Sequence, residues 1–230
     1  MSKLNHEVVS RSEWESLRAD LLKKEKALTK ARDQLTAEIR SIPWVKMEKE
    51  YSFHTPTGTK TLADLFDGKS QLFVVHFMFV TCWKAGCPGC SFWADSYDGL
   101  RYHLPQRDVS FKVISRASLE DIEKYRKRMG WEFEWVSSMD TDFNYDIGVS
   151  LRKVPDVCFP DEPHREGIER PGISIFYRDG NDVYQTYFNT ARGLEIINPV
   201  YAVLDLVSKG RDEADLKPYP SAWVKRHDEY

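Results

Sequence analysis

Hydrophobic and polar positions along this chain change period several times, and each change marks an element. From Ser10 to Ile42, Trp14, Leu17, Leu21, Leu28, Ala31, Leu35 and Ile39 recur at helical spacing. Ser10 with Glu13 supplies a capping box, and Pro43 stops the helix. The apolar stripe is narrow and the remaining face is densely charged. Such a stripe suits packing on the helix's own domain or pairing with a second copy of the chain. From Val45 the period becomes two: Val45, Met47, Tyr51 and Phe53 predict a strand. Thr55 to Gly58 is a turn, and Thr61 to Phe66 a short capped helix.

The run from Leu72 to Val80 is apolar at nearly every position, the mark of a strand buried on both faces. A helix is expected from Pro88 to Leu104 and a second central strand over Val109 to Ser115. Next come a helix over Leu119 to Met129, capped by Ser118 and Gly130, and an extended piece over Trp131 to Val136. Phe143 to Pro171 holds four prolines and many turn formers, so a long loop is expected. Ile173 to Phe188 folds as a hairpin, and Leu194 to Val207 as a last helix. Strand–helix alternation followed by an antiparallel hairpin predicts an α/β domain with a mixed sheet flanked by helices. The expected organisation is a helical arm over 1–44, the domain over 45–209 and a polar tail over 210–230.

Composition narrows the setting. Of 230 residues 41% are apolar and seven are Trp, ample for a core. A net charge of −3 gives no electrostatic reason to expect nucleic acid. No apolar run approaches the roughly 20 residues of a membrane span, and the first residues are polar where a secretory signal needs an apolar block. Four cysteines are too few for a secreted disulfide scaffold. The expectation is a cytoplasmic protein whose cysteines are reactive, metal-binding or incidental.

The chemistry concentrates at Cys87-Pro88-Gly89-Cys90, between the buried strand and a helix. A helix N-terminus carries partial positive charge and unpaired N–H groups, which stabilise a thiolate at Cys87. Pro88 suits the first helical position, and Cys90 sits about one turn in, near enough to close a short disulfide. Cys87 is the expected attacking thiolate, exposed at the helix start, and Cys90 the resolving thiol. This reading needs no cofactor, and its substrate is a disulfide-containing protein or a small thiol. Trp83 and Trp93 flank the pair as a candidate docking rim, the alternative being core. Arg116, at the end of a central strand, is a candidate for holding the thiolate or an anionic substrate; its alternative is an ion pair with Asp95 or Asp98. His76, inside the apolar strand, is expected to be a satisfied core histidine.

Three other readings stand beside this one. Cys82, Cys87 and Cys90, with Cys158 downstream, reproduce the spacing of plant-type iron–sulfur ligands, and the same four residues also fit zinc. Thr81-Cys82 resembles the Thr-x-x-Cys of peroxide-reducing thiols, with a shorter spacing and without the proline. The last is a binding module without turnover.

The order strand, Cys-x-x-Cys helix, strand, helix, proline, hairpin, helix resembles the thioredoxin superfamily. Thr61 to Gly68, leading into the buried strand, looks like the corresponding segment of peroxiredoxins and membrane-tethered thioredoxins. Nearly the whole chain resembles a bacterial family catalogued as domain of unknown function eight-nine-nine, whose members are described as predicted dithiol-disulfide isomerases. Pro43-Trp44-Val45, His76 to Phe79, Gly86 to Ser91, Ser115-Arg116-Ala117, Trp135 to Ser138, Asp142 to Asp146, Phe176 to Gly180, Ala191-Arg192-Gly193 and Gly210 to Glu213 carry the match. The resemblance implies a thioredoxin-like fold and dithiol chemistry. It also implies a cis-proline facing the dithiol, for which Pro171 is the candidate; Gly172 stands between it and the hairpin, and the alternative is an ordinary trans bond. Thioredoxins carry Trp-Cys-Gly-Pro-Cys, whereas here Trp83 lies four residues before Cys87 and the central pair is Pro-Gly, a change that retunes the redox potential.

Overall fold

A computed structural model of the chain describes residues 6–151, 169–190 and 193–230. The chain divides into two compact units, Met1–Pro43 and Trp44–Tyr230. The first is helix α1 (Arg11–Ser41), whose Ser10 hydroxyl accepts the Glu13 amide at 3.2 Å as the capping box requires. No residue of α1 is buried, and Trp14, Leu17, Leu21, Leu28 and Leu35 all face solvent. The narrow stripe is therefore present without a cover.

The second unit is one eight-stranded sheet. Its strands are β1 (Val45–Lys46), β2 (Ser52–Thr55), β3 (Gly58–Thr61), β4 (Gln71–Val80), β5 (Val109–Arg116), β6 (Trp135–Ser137), β7 (Gly172–Asp179) and β8 (Asp182–Asn189). The spatial order is β1-β8-β7-β4-β5-β6-β2-β3. The strand expected from Val45 to Phe53 is in fact two: β1 pairs with β8 at one edge, while β2 joins β6 toward the other. Central β4 runs parallel to β5 and antiparallel to β7, and β7 and β8 form the hairpin. This arrangement of β4, β5, β7 and β8, with the dithiol helix after β4, is the thioredoxin fold.

Alternation along β4 builds two cores. Phe73, Val75, Phe77 and Phe79 face the layer holding α2 (Pro88–Ala94) and α4 (Leu119–Met129), together with Tyr125, Trp131 and Trp135. Leu72 and Val74 face the opposite layer, with Phe53, Phe66, Phe143 and Phe176. Aliphatic and aromatic side chains on both faces exclude water from the strand, which is why its sequence lacks polar alternation.

Other expected elements differ too: Thr61 ends β3, and only a 3-10 turn over Asp64–Phe66 follows where a helix over Thr61 to Phe66 is expected. The dithiol helix ends at Ala94, and α3 (Leu100–His103) follows it. The last helix is interrupted by Pro199: buried Asn198 caps α6 (Pro199–Leu204) by accepting the amides of Val200 and Tyr201 at 2.9 and 3.3 Å. In the expected loop, α5 (Phe143–Ile147) buries Phe143, Asn144 and Ile147, and Ser150 bridges to Glu169. Segment 210–230 packs within the second unit, its His227 and Arg128–Asp228 contacts reaching back to the helical layer. No helix among the described residues is long and apolar enough to cross a membrane.

A charged cluster ties β5 to the neighbouring loops. The buried Lys112 ammonium donates to Glu134 at 2.6 Å and to Asp67. Burial works to raise the Asp67 pKa, but Lys112 and then Lys60 outweigh it and leave the carboxyl below its ordinary value. The stabilisation this lends is complete above the ordinary aspartate value, near 4, and is lost as pH falls through the lower folded value. Asp67 has φ 49°, which Asn also tolerates. Asp67→Asn is expected to lower stability at neutral pH, with the deficit shrinking below about pH 4 in urea unfolding. A deficit independent of pH would separate the loss from the carboxylate charge. Because α1 buries nothing, a chain starting at Trp44 is expected to unfold at the same urea midpoint as the full chain. A large drop would show that the arm covers part of the sheet.

Candidate functional site

The site is built where β4 hands the chain to α2. After Val80 a turn closed by Trp83 N–H on the Val80 carbonyl (2.9 Å) reverses the chain, and the Cys87 amide returns to the Met78 carbonyl at 3.1 Å. Cys87 is the N-cap of α2, with Pro88 at the first helical position. The Cys87 carbonyl accepts the Ser91 amide at 2.9 Å and the Ser91 hydroxyl at 2.8 Å. Gly86 is required by close approach: a Cβ there would lie 2.6 Å from the Phe77 ring and 2.8 Å from the Tyr125 ring.

Both cysteines are thiols, and both are buried: Cys87 is 6% exposed and Cys90 7%. The expected exposure of Cys87 is thus corrected. Its helix start is docked against β4 and covered by other parts of the chain, so the sulfur does not face bulk solvent. The Cys90 pKa is raised well above its ordinary value, first by a hydrogen bond to Cys87, then by burial and by the charge Cys87 carries. The backbone of Met78 pulls the other way, and Glu169 adds a further upward push. While Cys87 carries charge, Cys90 is held protonated.

Cys87 and Cys90 open into a cavity of about 400 Å³. Val75, Trp93, Tyr97, Ile173, Leu194 and Tyr201 give it apolar and aromatic walls, and Pro171, Gly172, Arg211, Glu213, Pro220 and Ser221 also line it. Burial and the nearby Cys90 push the Tyr97 phenol pKa up. Gly172 has no room for a side chain, since a Cβ would sit 2.7 Å from the Asn189 carbonyl oxygen.

Pro171, Trp93 and the two cysteines therefore meet at one cavity, with half-buried Pro88 beside them. The only cis peptide among the described residues is Lys217–Pro218, so the Arg170–Pro171 bond is trans, in contrast to the expected cis-proline. Trp83 is buried in the core beside Phe79 and the cysteines and is absent from the cavity wall. Arg116 is also absent from that wall. It donates to Glu169 at 3.1 Å and stacks over Tyr145 at 4.4 Å. Asp95 and Asp98, its expected partners, are occupied elsewhere: Asp95 accepts from Trp131 Nε1 and pairs with His227, and Asp98 accepts the Glu132 and Phe133 amides.

Cys82 is half-buried in the preceding turn, and Cys158 lies outside the described residues. Among the described residues no group of three or more His, Cys, Asp or Glu side chains is placed to hold a metal ion. His76 is buried with its Nε2 2.7 Å from the Ser174 hydroxyl, and burial lowers its pKa to about 3, so it stays neutral.

The C-terminal tail supplies residues that the sequence reading left outside the site. Arg226 donates to the Gly86 carbonyl from Nε at 3.0 Å and Nη2 at 2.7 Å, and to the Tyr125 hydroxyl at 3.0 Å. Tyr125 in turn meets the Ser91 hydroxyl at 2.8 Å. One guanidinium thus fixes the backbone on both sides of Cys87. Trp223 packs edge-on to Phe92, and its Nε1 donates to Glu213 at 2.5 Å. Two signals for this were present: a lone Trp in a polar tail, and Gly210 to Glu213 among the residues carrying the family match.

Solved structures similar to this chain include a cysteine-to-serine mutant of Xanthomonas campestris peroxiredoxin Q, 14% identical, TM-score 0.45, covering 67% of this chain and 90% of that one. A putative thiol:disulfide interchange protein DsbE from Chlorobium tepidum is 10% identical, TM-score 0.44, covering 70% and 95%. Thioredoxin peroxidase I from Plasmodium yoelii is 11% identical, TM-score 0.46, covering 74% and 92%. No curated protein matches the chain. The family described as "Bacterial protein of unknown function (DUF899)" matches residues 3–230, and the chain belongs to that family.

Proposed function

We propose that this protein is a thiol-disulfide oxidoreductase in which Cys87 attacks and Cys90 resolves. The carrying observation is the coupled pair: two thiols on one cavity wall, with the Cys90 pKa held up by its hydrogen bond to Cys87 and by the Cys87 charge. The Cys87 thiolate attacks one sulfur of a bound disulfide, forming a mixed disulfide and releasing a thiolate. Cys87 is then neutral and its hydrogen bond to Cys90 is gone. The two influences from Cys87 that kept Cys90 protonated vanish at the moment a second thiolate is needed. Cys90 loses its proton to the departing thiolate and attacks the Cys87 sulfur, which closes the Cys87–Cys90 disulfide and releases the second group as a thiolate.

The C-terminal Arg226 contributes by position. Two of its N–H groups hold the Gly86 carbonyl, so the peptide entering Cys87 keeps its orientation toward the cavity.

Exposed to hydroxyethyl disulfide, Cys90→Ser is expected to accumulate a mixed disulfide on Cys87, seen as an added mass on the intact protein. Cys87→Ser should accumulate none. Equal trapping in both variants, or none in either, would remove the oxidoreductase assignment. Arg226→Gln is expected to cost about 1–3 kcal/mol in urea unfolding, the range for a lost charged hydrogen bond. It should also speed alkylation of Cys87 at neutral pH, because the tail segment that walls the cavity is released. Unchanged stability and unchanged alkylation would show that the tail contact is incidental.

A further inference from the structure

The substrate class follows from how the thiols are enclosed, and the inference rests on the dithiol reading above. We infer that the protein acts on an uncharged, low-molecular-weight disulfide bearing apolar or aromatic groups, and not on protein disulfides.

Access comes first. Neither sulfur-bearing residue is more than 7% exposed, and both line the same cavity. A substrate disulfide therefore meets Cys87 from inside that cavity. Its volume of about 400 Å³ falls in the range of small-molecule sites. Part of the wall is the chain's own tail at Pro220 and Ser221, secured by Arg226 on Gly86 and by Trp223 on Glu213. A disulfide carried on a folded protein would have to displace that segment to reach the sulfur.

Backbone pairing gives the same answer independently. Extended peptide substrates bind by adding a strand to unpaired backbone. Beside these thiols the backbone is already paired. The Arg170 amide donates to the Val149 carbonyl at 2.7 Å, Ser150 bridges to Glu169, and Gly172 pairs with His76. The Met78 carbonyl is taken by the Cys87 amide.

The lining chemistry sets the substrate's character. Trp93, Tyr97 and Tyr201 offer ring faces and edges, with Val75, Ile173 and Leu194 between them. The charged groups at the wall, Arg211, Glu195 and Glu213, are each held by neighbours within the chain. Arg211 is held by Asp205 at 2.6 and 2.7 Å, Glu195 accepts the Gly193 amide at 2.6 Å, and Glu213 accepts from Trp223 and from Tyr201. A charged substrate would break these pairs, whereas an uncharged ring would fill the apolar space.

In one turnover the Cys87 thiolate and Cys90 thiol convert R–S–S–R into R–S–H and R–S⁻. The two S–R bonds to carbon are untouched, and two electrons pass to the substrate as the Cys87–Cys90 bond forms.

The test uses reduced full-length protein, quenched by alkylation and weighed for the Cys87–Cys90 disulfide. The disulfides are hydroxyethyl disulfide, dithiodipyridine, oxidised glutathione and insulin. Each rate is divided by that of the same disulfide with dithiothreitol, which removes intrinsic reactivity. The dithiodipyridine rate is expected to saturate and to exceed those of oxidised glutathione and insulin by about tenfold or more, the scale of pocket discrimination. Ser221→Trp narrows the cavity without touching either cysteine. It should slow dithiodipyridine about tenfold, and by more than it slows the smaller hydroxyethyl disulfide. The wild-type comparison stands alone if that variant folds poorly. A normalised insulin rate equal to or above that of dithiodipyridine overturns the inference while leaving the dithiol reading intact. So does an equal slowing of all four by Ser221→Trp. Failure of hydroxyethyl disulfide to oxidise the pair at all removes the dithiol reading, and this inference with it.

Discussion

The backbone at Gly86 and Cys87 lies so close to β4 and α4 that position 86 has no room for a side chain. Phe77 and Tyr125 close on it from two elements, and the Cys87 amide is bound to the Met78 carbonyl. Everything that distinguishes the site depends on this approach. It sinks the N-cap of α2 below the surface, so Cys87 is buried where a helix start would ordinarily be wet. It presents the Gly86 carbonyl to Arg226, which gives the C-terminal tail an anchor. It also brings Tyr125 within reach of Ser91, so the first turn of α2 is held from α4 as well as from β4.

The hydrogen bond between the two thiols, and then their burial, hold the Cys90 pKa up. In an apolar surrounding, two neighbouring thiols cannot both carry charge, because the first thiolate raises the cost of the second. Cys90, which donates to Cys87, is the one held protonated. On the proposed mechanism, the same coupling would make the resolving step conditional on the attacking step.

Much of this was legible from local pattern. The continuous apolar run of β4, the Ser118 cap and Gly130 stop of α4, and the β7–β8 turn each depend on residues within a few positions of one another. The Cys-Pro-Gly-Cys step is local too, so the nucleophile's place in the fold could be read directly. What could not be read depends on distant pairings. The tail's place at the site depends on Arg226, 140 residues beyond the Gly86 carbonyl that it meets at 3.0 Å. Trp83 became core because Val80 turns it inward. The last helix broke at Pro199 because buried Asn198 prefers to cap a new one. A polar tail with one Trp looked detached because its anchors are a backbone carbonyl and a carboxylate, neither of which carries a hydrophobic signal.

Arg116 shows the same limit with a chemical consequence. Its place at the end of a central strand suggested a ligand for anions, yet its guanidinium is spent on Glu169, which also receives the Ser150 hydroxyl at 2.7 Å. Glu169 pushes the Cys90 pKa upward, so an uncompensated carboxylate there would hold the resolving thiol protonated more strongly. Arg116 itself is held in a partner network of Glu169 and Tyr145, 53 positions from Glu169 in the chain, which its place at a strand end did not reveal.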